Sequence, residues 1–251
     1  MRPCGDDGGI GRPLEKAEEL RRAAGDLGIR LGLVEADKLV RLAELVVSAN
    51  ARVRLTSVTD WPEVLAKHLL DSLAPLALFT PPPGGVRAAD LGSGGGFPGL
   101  ALACAMPGVG FTLIEATRKK ADFLARAAAE LGLGRVEIWA ERSEEAAAGL
   151  GRAAFDLVTA RAVAGLRVLV ELALPLLRPG GVLWAWKGPE AGAEIQGAGP
   201  ALAALGGEVV ETRTYSLPGG FGERALVAVA KTGPTPSRFP RRPGMAEKRP
   251  L

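Results

Sequence analysis

A glycine-rich segment, Asp90 to Pro98, carries the most recognisable chemistry in this sequence. It reads Asp-Leu-Gly-Ser-Gly-Gly-Gly-Phe-Pro and directly follows an apolar run that predicts a β-strand. Glycines such as Gly92 and Gly94 let a backbone turn sharply and approach a ligand without side-chain obstruction. Pro98 suits the start of a helix over residues 99–106, whose free N–H groups would attract a carboxylate or a phosphate. The segment predicts an anion-binding turn, against the simpler interpretation of a turn needed only for packing.

Two kinds of adenosine-containing ligand fit this turn. Residues 94–99 satisfy the glycine spacing of dinucleotide-binding turns, although that match alone is weak. Asp90 precedes the first glycine and Pro98 lacks an N–H that a diphosphate could use, and both features favour an adenosyl amino acid instead. Asp90 would then serve the ammonium group of that ligand. Glu115 closes the next predicted strand, where an acid binds ribose hydroxyls in either class.

Charged and polar residues close several other apolar runs. Open parallel sheets bind ligands beyond the carboxyl ends of their strands, so these residues are expected around one pocket. A charge there is costly unless it meets water, a ligand or an acid. We expect Arg161 and Lys187 both to point into the pocket, unless they are ordinary exposed strand ends. The residues at the strand ends are Asp90, Glu115, Ser143, Glu144, Arg161 and Lys187.

The first part of the chain predicts helices that must pack on a partner surface. Residues 1–13 lack any period and predict a flexible arm, whereas residues 14–80 have helical periodicity. Asp60, with an acid three residues later, resembles a capping box at the start of a third helix. One helix presents a single apolar face formed by Leu39, Leu42, Ala43, Val46 and Val47.

The second part predicts an α/β fold. The Pro/Gly run over residues 81–85 separates it from the helices, and apolar runs then alternate with Ala/Leu-rich stretches over residues 86–232. This alternation predicts a mostly parallel sheet of seven strands with helices on both faces. Residues 233–251 predict a basic, extended tail. The predicted strands are 86–91, 110–114, 136–139, 155–159, 182–186, 208–215 and 224–230, the last two antiparallel at one edge.

Composition narrows the class of protein. The net charge of +3 is too small to indicate a nucleic-acid partner by itself. Two cysteines and one histidine leave too few ligands for a Cys/His zinc site and suggest no disulfide framework, so we expect no metal. Neither a signal peptide nor a membrane span is apparent. We expect a cytoplasmic protein and a monomer, although the sequence does not fix the oligomeric state.

Several motifs together resemble one family. They are the glycine loop, the preceding Lys-His-Leu-Leu-Asp-Ser-Leu over residues 67–73, Arg161-Ala162, Lys187-Gly188 and the terminal Pro-Arg-Arg-Pro-Gly. From about residue 35 to the end, the chain resembles the glucose-inhibited division protein B (RsmG) family. The resemblance implies a Rossmann-like class I methyltransferase fold that uses S-adenosylmethionine to methylate N7 of a guanine in 16S ribosomal RNA, with the rRNA or the small ribosomal subunit as partner.

The resemblance also carries residues over by motif. Arg54-Leu55-Thr56 stands where Asn-Leu-Thr is expected, which puts a role for that asparagine in doubt. Arg161 or Lys187 would position the substrate through O6 or a phosphate, because a cation donating to N7 would block the nucleophile. The chemistry of the glycine loop, considered without the resemblance, adds Asp90 and Gly94 to the expected cofactor-binding residues. The residues that match cofactor positions of the family are Gly92, Phe97, Glu115, Ala116, Ser143, Glu144 and Arg161.

Two further groups of residues are candidates. His68 and Asp71 lie three apart on the third helix, so they share a face and are expected either to hydrogen-bond as a structural pair or to shape the pocket rim. Two sets of cations could neutralise RNA phosphates, although each is also an ordinary surface charge. These cations are Arg118, Lys119, Lys120, Arg238, Arg241, Arg242, Lys248 and Arg249.

Three other functions compete. A nicotinamide oxidoreductase would need a catalytic Tyr/Lys or His/acid set, and the chain's one tyrosine, Tyr215, lies in a late strand. A methyltransferase for another RNA or a small molecule would share the cofactor and differ in RNA binding. An RNA-binding module with a relic loop would not bind the cofactor.

Overall fold

A single seven-stranded sheet forms the centre of the computed structural model, which describes residues 13–80 and 85–251. The strands are β1 (Arg87–Leu91), β2 (Gly110–Ile114), β3 (Val136–Trp139), β4 (Phe155–Arg161), β5 (Leu177–Lys187), β6 (Gly207–Ser216) and β7 (Glu223–Lys231). Their order across the sheet is β3-β2-β1-β4-β5-β7-β6. β7 runs antiparallel to β5 and β6, and all other pairs are parallel. The predicted strands and the antiparallel edge are confirmed.

Helices cover both faces of this sheet. They are α1 (Pro13–Asp26), α2 (Leu33–Val53), α3 (Trp61–Val64), a π-helical turn (Leu65–Leu70), α4 (Asp71–Leu73), α5 (Pro75–Leu78), α6 (Gly99–Ala105), α7 (Arg118–Glu130), α8 (Ser143–Ala148), α9 (Leu166–Ala173), α10 (Ala191–Leu205) and α11 (Met245–Lys248). Among these helices, none is long and apolar enough to cross a bilayer.

The sheet separates two apolar cores, because successive residues of a strand point to opposite faces. Trp184 and Trp186 of β5 point to what we call the first face, which is covered by α1 to α7. Leu183 and Ala185 point to the second face, which is covered by α8 to α11. The N-terminal helices therefore share their core with the sheet and do not form a separate packing unit.

The N-terminal helices follow the prediction with two differences. Leu39, Leu42 and Val46 of α2 are buried, but Val47 is 37 % exposed, so the buried stripe is narrower than predicted. Asp60 precedes α3 without a side-chain capping bond, so the predicted capping box is wrong. The predicted arm lies outside the described residues apart from the backbone of its last residue, which begins α1, and so do residues 81–84 of the Pro/Gly break.

The C-terminal tail is not extended throughout, which corrects the prediction. Arg152 donates hydrogen bonds to the carbonyl oxygens of Phe239, Thr235 and Pro236 at 2.7, 2.8 and 3.3 Å. Phe239 is buried in the second core, and the short helix α11 packs against α9. An arginine with five fixed donors can hold several carbonyls at once. The tail is therefore a folded part of the second face.

Candidate active site

The glycine loop lies where the sequence predicts it, between β1 and α6. Gly92, Gly94 and Gly96 have positive φ angles of 63°, 54° and 91°. A Cβ atom on Gly96 would stand 2.7 Å from Leu100 Cδ1, so only glycine fits this turn. A Cβ atom on Gly94 would meet only the Gly92 carbonyl oxygen, at 3.7 Å, which leaves the space in front of that residue open. The loop combines a tight turn with an accessible backbone.

Glu115 closes β2 and is bonded to the glycine loop. Its Oε2 accepts a hydrogen bond from the Gly94 N–H at 3.0 Å, and its Oε1 accepts one from the Thr117 N–H at 2.7 Å. The residue is only 7 % exposed, whereas the following Ala116 is exposed. The Glu115 carboxylate is therefore bonded to one of the loop N–H groups that a diphosphate could use, that of Gly94.

Asp90 lies beneath the loop and not in front of it. It is completely buried, and its Oδ1 accepts a hydrogen bond from the Thr159 hydroxyl at 2.7 Å. Burial raises the pKa of Asp90 from its ordinary 3.8 to about 6. Because no ligand atom can reach a residue without exposed surface, the expected direct contact between Asp90 and a ligand ammonium is wrong. A Cβ atom on Gly99 would stand 2.6 Å from its Oδ2, so Asp90 supports the start of α6.

Arg161 leaves the carboxyl end of β4 on the first face and is held by the N-terminal helices. Its Nη1 donates to Asp71 Oδ2 at 2.7 Å and to the Lys67 carbonyl oxygen at 2.8 Å. Asp71 Oδ1 accepts from the Tyr215 hydroxyl at 2.6 Å, and the Asp71 carbonyl oxygen accepts from Trp186 Nε1 at 2.8 Å. The sequence did not predict this network.

The segment that supplies Asp71 contains an irregular turn. Residues 65–70 form a π-helix, a form that occurs mostly as single turns and often at functional sites. His68 and Asp71 sit at its end but do not bond to each other, so the predicted pair is wrong. His68 Nε2 instead lies 2.7 Å from Thr56 Oγ1, and its ring stacks on Phe97 of the glycine loop at 4.7 Å between centroids.

The environment of His68 determines its charge. Burial, followed by the positive charge of Arg161, lowers the pKa of His68 from 6.5 to about 4. The imidazole is therefore neutral at neutral pH. Asn50 fixes the neighbouring turn by accepting the N–H groups of Leu55 and Thr56, and Arg54 adopts a left-handed conformation with φ of 53°. Asparagine tolerates that conformation more readily than most residues.

Lys187 does not share a pocket with Arg161. In the parallel register Arg161 stands opposite Trp186, so these two point to the same face and Lys187 points to the other. Lys187 Nζ donates to the Ala164 carbonyl oxygen at 2.7 Å and pairs with Glu194 at 2.8 Å. Glu194 also accepts the Leu166 N–H at the start of α9. The ammonium group thus orders the loop after β4, and the expectation of two cations in one pocket is wrong.

Ser143 and Glu144 begin α8 at the end of the sheet predicted for them. Glu144 is 9 % exposed, and its Oε1 accepts the N–H of Gly244 in the tail at 2.9 Å. Its carboxylate is thus engaged by the tail. The sequence shows no signal for this contact, because its partners are far apart in the chain.

The two sets of predicted RNA-binding cations differ in their surroundings. Arg118 and Lys119 are exposed and Lys120 is half-buried at the start of α7. Lys119, together with Arg52 and Arg126, lines a cavity of about 480 Å³ between α2 and α7. Sequence periodicity gave no sign of this cavity, because it depends on how the two helices pack.

In the tail, Arg241 is not free. Its Nε, Nη2 and backbone N–H all bond to Glu171, whose exposure is 1 %. The pair occupies the Nε–Nη2 edge, and the Arg241 side chain is 24 % exposed, so a contact between Arg241 and a phosphate stays a prediction. The other tail cations are exposed: Arg238, Arg242, Lys248 and Arg249.

Known proteins share both the sequence and the fold. Residues 35–224 match the family described as GidB, rRNA small subunit methyltransferase G. The chain belongs to this family. Relatives named ribosomal RNA small subunit methyltransferase G include one from Geobacillus kaustophilus, 38 % identical over 94 % of this chain and 99 % of the relative. Another, from Deinococcus radiodurans, is 40 % identical over 93 % of this chain and 92 % of the relative.

A solved structure, cofactor-bound Rv0187 from MTB, superposes with a TM-score of 0.55 at 18 % identity, covering 90 % of this chain and 100 % of that one. The likeness supports the fold alone. The Rossmann-like class I methyltransferase fold, with an N-terminal helical extension, is confirmed. Within residues 13–80 and 85–251, no group of three or more His, Cys, Asp or Glu residues could hold a metal ion.

Proposed function

We propose that this protein is an S-adenosylmethionine-dependent methyltransferase that methylates N7 of a guanosine in 16S ribosomal RNA. The observation that carries the proposal is the glycine loop with Glu115 bonded to Gly94, in a chain of the rRNA small subunit methyltransferase G family. The proposal places the protein in the cytoplasm, acting as a monomer on the rRNA or on the small subunit.

The loop fits a positively charged adenosyl amino acid better than a dinucleotide. The Glu115 carboxylate occupies the Gly94 N–H and would repel a diphosphate, whereas its acceptors suit ribose hydroxyls. The open space before Gly94 allows close approach. We propose that the cofactor is held by Gly92, Gly94, Phe97, Glu115, Ala116, the main chain of Ser143 and Glu144, and Arg161.

The proposed chemistry asks little of the protein beyond placement. The cofactor supplies an electrophilic methyl group, and guanine N7 has an exposed lone pair, so no proton has to leave before attack. Positioning alone can account for a large part of such a rate enhancement. The neutral His68 lies within hydrogen-bonding distance of Thr56. The reaction does not require it as a base, because no proton has to leave N7. Arg161 would contact O6 or a phosphate.

The rRNA is proposed to lie along cations near the loop. Arg118, Lys119 and Lys120 follow β2 directly, and Arg52 and Arg126 share the cavity that Lys119 lines. α2 also contacts the loop, because a Cβ atom on Gly95 would stand 3.6 Å from Val46 Cγ1. The exposed tail cations Arg238, Arg242, Lys248 and Arg249 are proposed as a second contact. Removal of one cation that neutralises a phosphate should reduce the slope of log affinity against log salt by about 0.7 to 0.9.

An oxidoreductase receives no support from the site. Tyr215, the single tyrosine, donates to Asp71, and burial with this neighbouring carboxylate raises the pKa of Tyr215. It is therefore a poor proton donor or acceptor in catalysis.

The test is to incubate the protein with labelled S-adenosylmethionine and either naked 16S rRNA or small subunits, and to map the modified nucleotide. We expect one N7-methylguanosine at a single position. Label on another atom, on another RNA or on a small molecule only would overturn the proposal. Failure to bind the cofactor in calorimetry would identify the protein as an RNA-binding module.

A further inference from the structure

We propose that Asp71 is a positioning residue that aims the Arg161 guanidinium at the reacting groups, with Tyr215 fixing Asp71 in turn. The inference rests on the proposed function, because it assigns a task to Arg161 in methyl transfer. It adds a residue from the N-terminal helices and one from β6 to a site otherwise built from strand ends of the sheet.

Arg161 is anchored through a single nitrogen of its guanidinium. Both of its hydrogen bonds within the described residues, to Asp71 Oδ2 and to the Lys67 carbonyl oxygen, leave from Nη1. Nε and Nη2 are not used by these anchors, and the Arg161 side chain retains 15 % exposure against 5 % for Asp71. The guanidinium is therefore fixed at one nitrogen and available at the others. A guanidinium presents its donors in a rigid plane, so fixing one edge orients the rest.

The available edge of the Arg161 guanidinium lies near the glycine loop. The Arg161 Cζ atom lies 5.9 Å from the centroid of the Phe97 ring, and Phe97 belongs to the glycine loop. The His68 ring also stacks on Phe97, with 4.7 Å between the two centroids. The remaining donors of Arg161 thus lie at the loop, beyond the carboxyl end of β4, where an open sheet of this kind binds its ligands.

Both carboxylate oxygens of Asp71 and its carbonyl oxygen are engaged by donors of the protein. Oδ2 accepts from Arg161, Oδ1 accepts from Tyr215, and the Asp71 carbonyl oxygen accepts from Trp186. A residue that is only 3 % exposed has little surface for direct contact with a ligand. Its geometry is well defined, because the donors come from β4, β5 and β6. Such fixed orientation is what a positioning residue requires.

A double-mutant cycle tests whether Asp71 acts through Arg161. Asp71→Asn keeps the shape and removes the charge, and Arg161→Ala removes the group that Asp71 holds. Turnover on 16S rRNA and the affinity for S-adenosylhomocysteine, measured by calorimetry, are both recorded, together with thermal unfolding. We expect Arg161→Ala to lower turnover by about 100-fold and Asp71→Asn by roughly 10-fold or more, the size of effect seen when a transition-state donor is removed or misplaced.

The decisive comparison is non-additivity. If Asp71 acts through Arg161, adding Asp71→Asn to Arg161→Ala should change turnover by less than about twofold. Asp71→Asn should change the same property as Arg161→Ala, either turnover or ligand affinity, and in the same direction. Tyr215→Phe should produce a smaller loss of the same kind. Independent, additive effects, or an Asp71→Asn protein that loses stability but keeps its turnover, would overturn the inference, as would an Arg161→Ala protein with normal turnover and affinity.

A matched control lies on the same strand. Asp156, at the amino end of β4, pairs with Arg178 and accepts the Arg87 N–H, far from the loop along the strand. Asp156→Asn removes a carboxylate–arginine pair of similar chemistry and should leave turnover and ligand affinity unchanged. The proposed function itself fails if the unaltered protein does not methylate N7 of a guanosine in 16S rRNA. The inference fails if the unaltered protein is active and the cycle is additive.

Discussion

The two faces of the sheet each bury one carboxylate–arginine pair, and the pairs differ in how the arginine is used. On the second face Arg241 gives Nε, Nη2 and its backbone N–H to Glu171. On the first face Arg161 gives only Nη1 to Asp71 and to a carbonyl oxygen. Each guanidinium therefore uses two of its five side-chain donors. Arg241 places its Nε–Nη2 edge on a single carboxylate and forms a closed pair, whereas Arg161 is held at Nη1 alone and keeps its Nε–Nη2 edge. The two pairs thus differ in which edge of the guanidinium is engaged and not in how many donors remain.

The largest expected effect is on the closed pair. Arg241→Ala leaves the Glu171 carboxylate, 1 % exposed, without its partner, and should destabilise the protein by about 3 kcal/mol or more. Chemical denaturation measures this loss. The adjacent, exposed Arg242 is the control, and Arg242→Ala should change the free energy of unfolding by less than about 0.5 kcal/mol. Equal effects of the two substitutions would show that the pair on the second face does not stabilise the tail.

The first face should respond to pH through His68. Its pKa in the folded protein, about 4, is below its ordinary 6.5, so its contribution to stability is present above pH 6.5 and is lost as the pH falls through 4. A shift of that size corresponds to about 3 kcal/mol. His68→Phe should remove this acid-side loss in denaturation measured from pH 8 to pH 4. An unchanged pH profile would contradict the assigned environment of the imidazole.

Asp90 should have the opposite dependence in nearly the same range. Because its folded pKa is raised to about 6, its contribution is fully present below pH 3.8 and is lost as the pH rises through 6. Asp90→Asn should therefore stabilise the protein at pH 7 by roughly 2 kcal/mol, an amount within the cost of a shift of this size. The check is the difference between wild type and variant, which should vanish near pH 4. A variant less stable than wild type at pH 7 would show that the Asp90 charge is favourable.

A smaller effect should come from the partner of Asp90. Thr159→Val keeps the shape and removes the 2.7 Å hydrogen bond to Asp90 Oδ1, which should cost about 1 to 2 kcal/mol. The same substitution in the Asp90→Asn background should cost less, since the bond to a charged acceptor is the stronger one. Equal costs in both backgrounds would argue that Asp90 is uncharged at the pH of measurement.

The smallest effect should be at an exposed pair of the first face. Arg118 pairs with Asp122 at 3.2 Å with an exposed fraction of 81 %, so Arg118→Gln should leave stability nearly unchanged. For binding to rRNA, the slope of log affinity against log salt should decrease in magnitude by about 0.7. Arg135→Gln is the control for a general loss of charge, because Arg135 is exposed and precedes β3 at the amino ends of the strands, whereas Arg118 follows the carboxyl end of β2. The same slope for both variants would remove Arg118 from the proposed RNA surface.

The sheet could be predicted from the sequence because its signals are local. Apolar runs and glycines mark every strand and the loop, and the bounds are correct within one or two residues at most ends. β5 is the exception, since it begins at Leu177 and residues 178–181, Arg-Pro-Gly-Gly, have the composition of a turn. A register irregularity between Phe155 and Leu157 accommodates this segment in the sheet.

The site could be predicted only where one segment supplies it. The loop and Glu115 are near in sequence, and both lie where expected. The opposite faces of Arg161 and Lys187 follow from the pairing register of β4 with β5, which hydrophobic pattern alone does not give. The π-helical turn has no sequence signal comparable to a glycine loop. The partners of Arg161, Glu144 and Arg241 lie 70 or more residues away, so their engagement depends on tertiary packing.

The link between Tyr215 and Asp71 has a consequence for biosynthesis. The two residues are 144 positions apart, so a growing chain exposes Asp71 long before its second donor exists. Contacts of such sequence separation form late, because a long loop must close before they can contribute. A ribosome-bound chain that has not yet released β6 would carry the complete glycine loop and an incompletely held Arg161. Maturation of the site is therefore tied to completion of the polypeptide, and a truncated product would retain the fold's signature motif without its finished geometry.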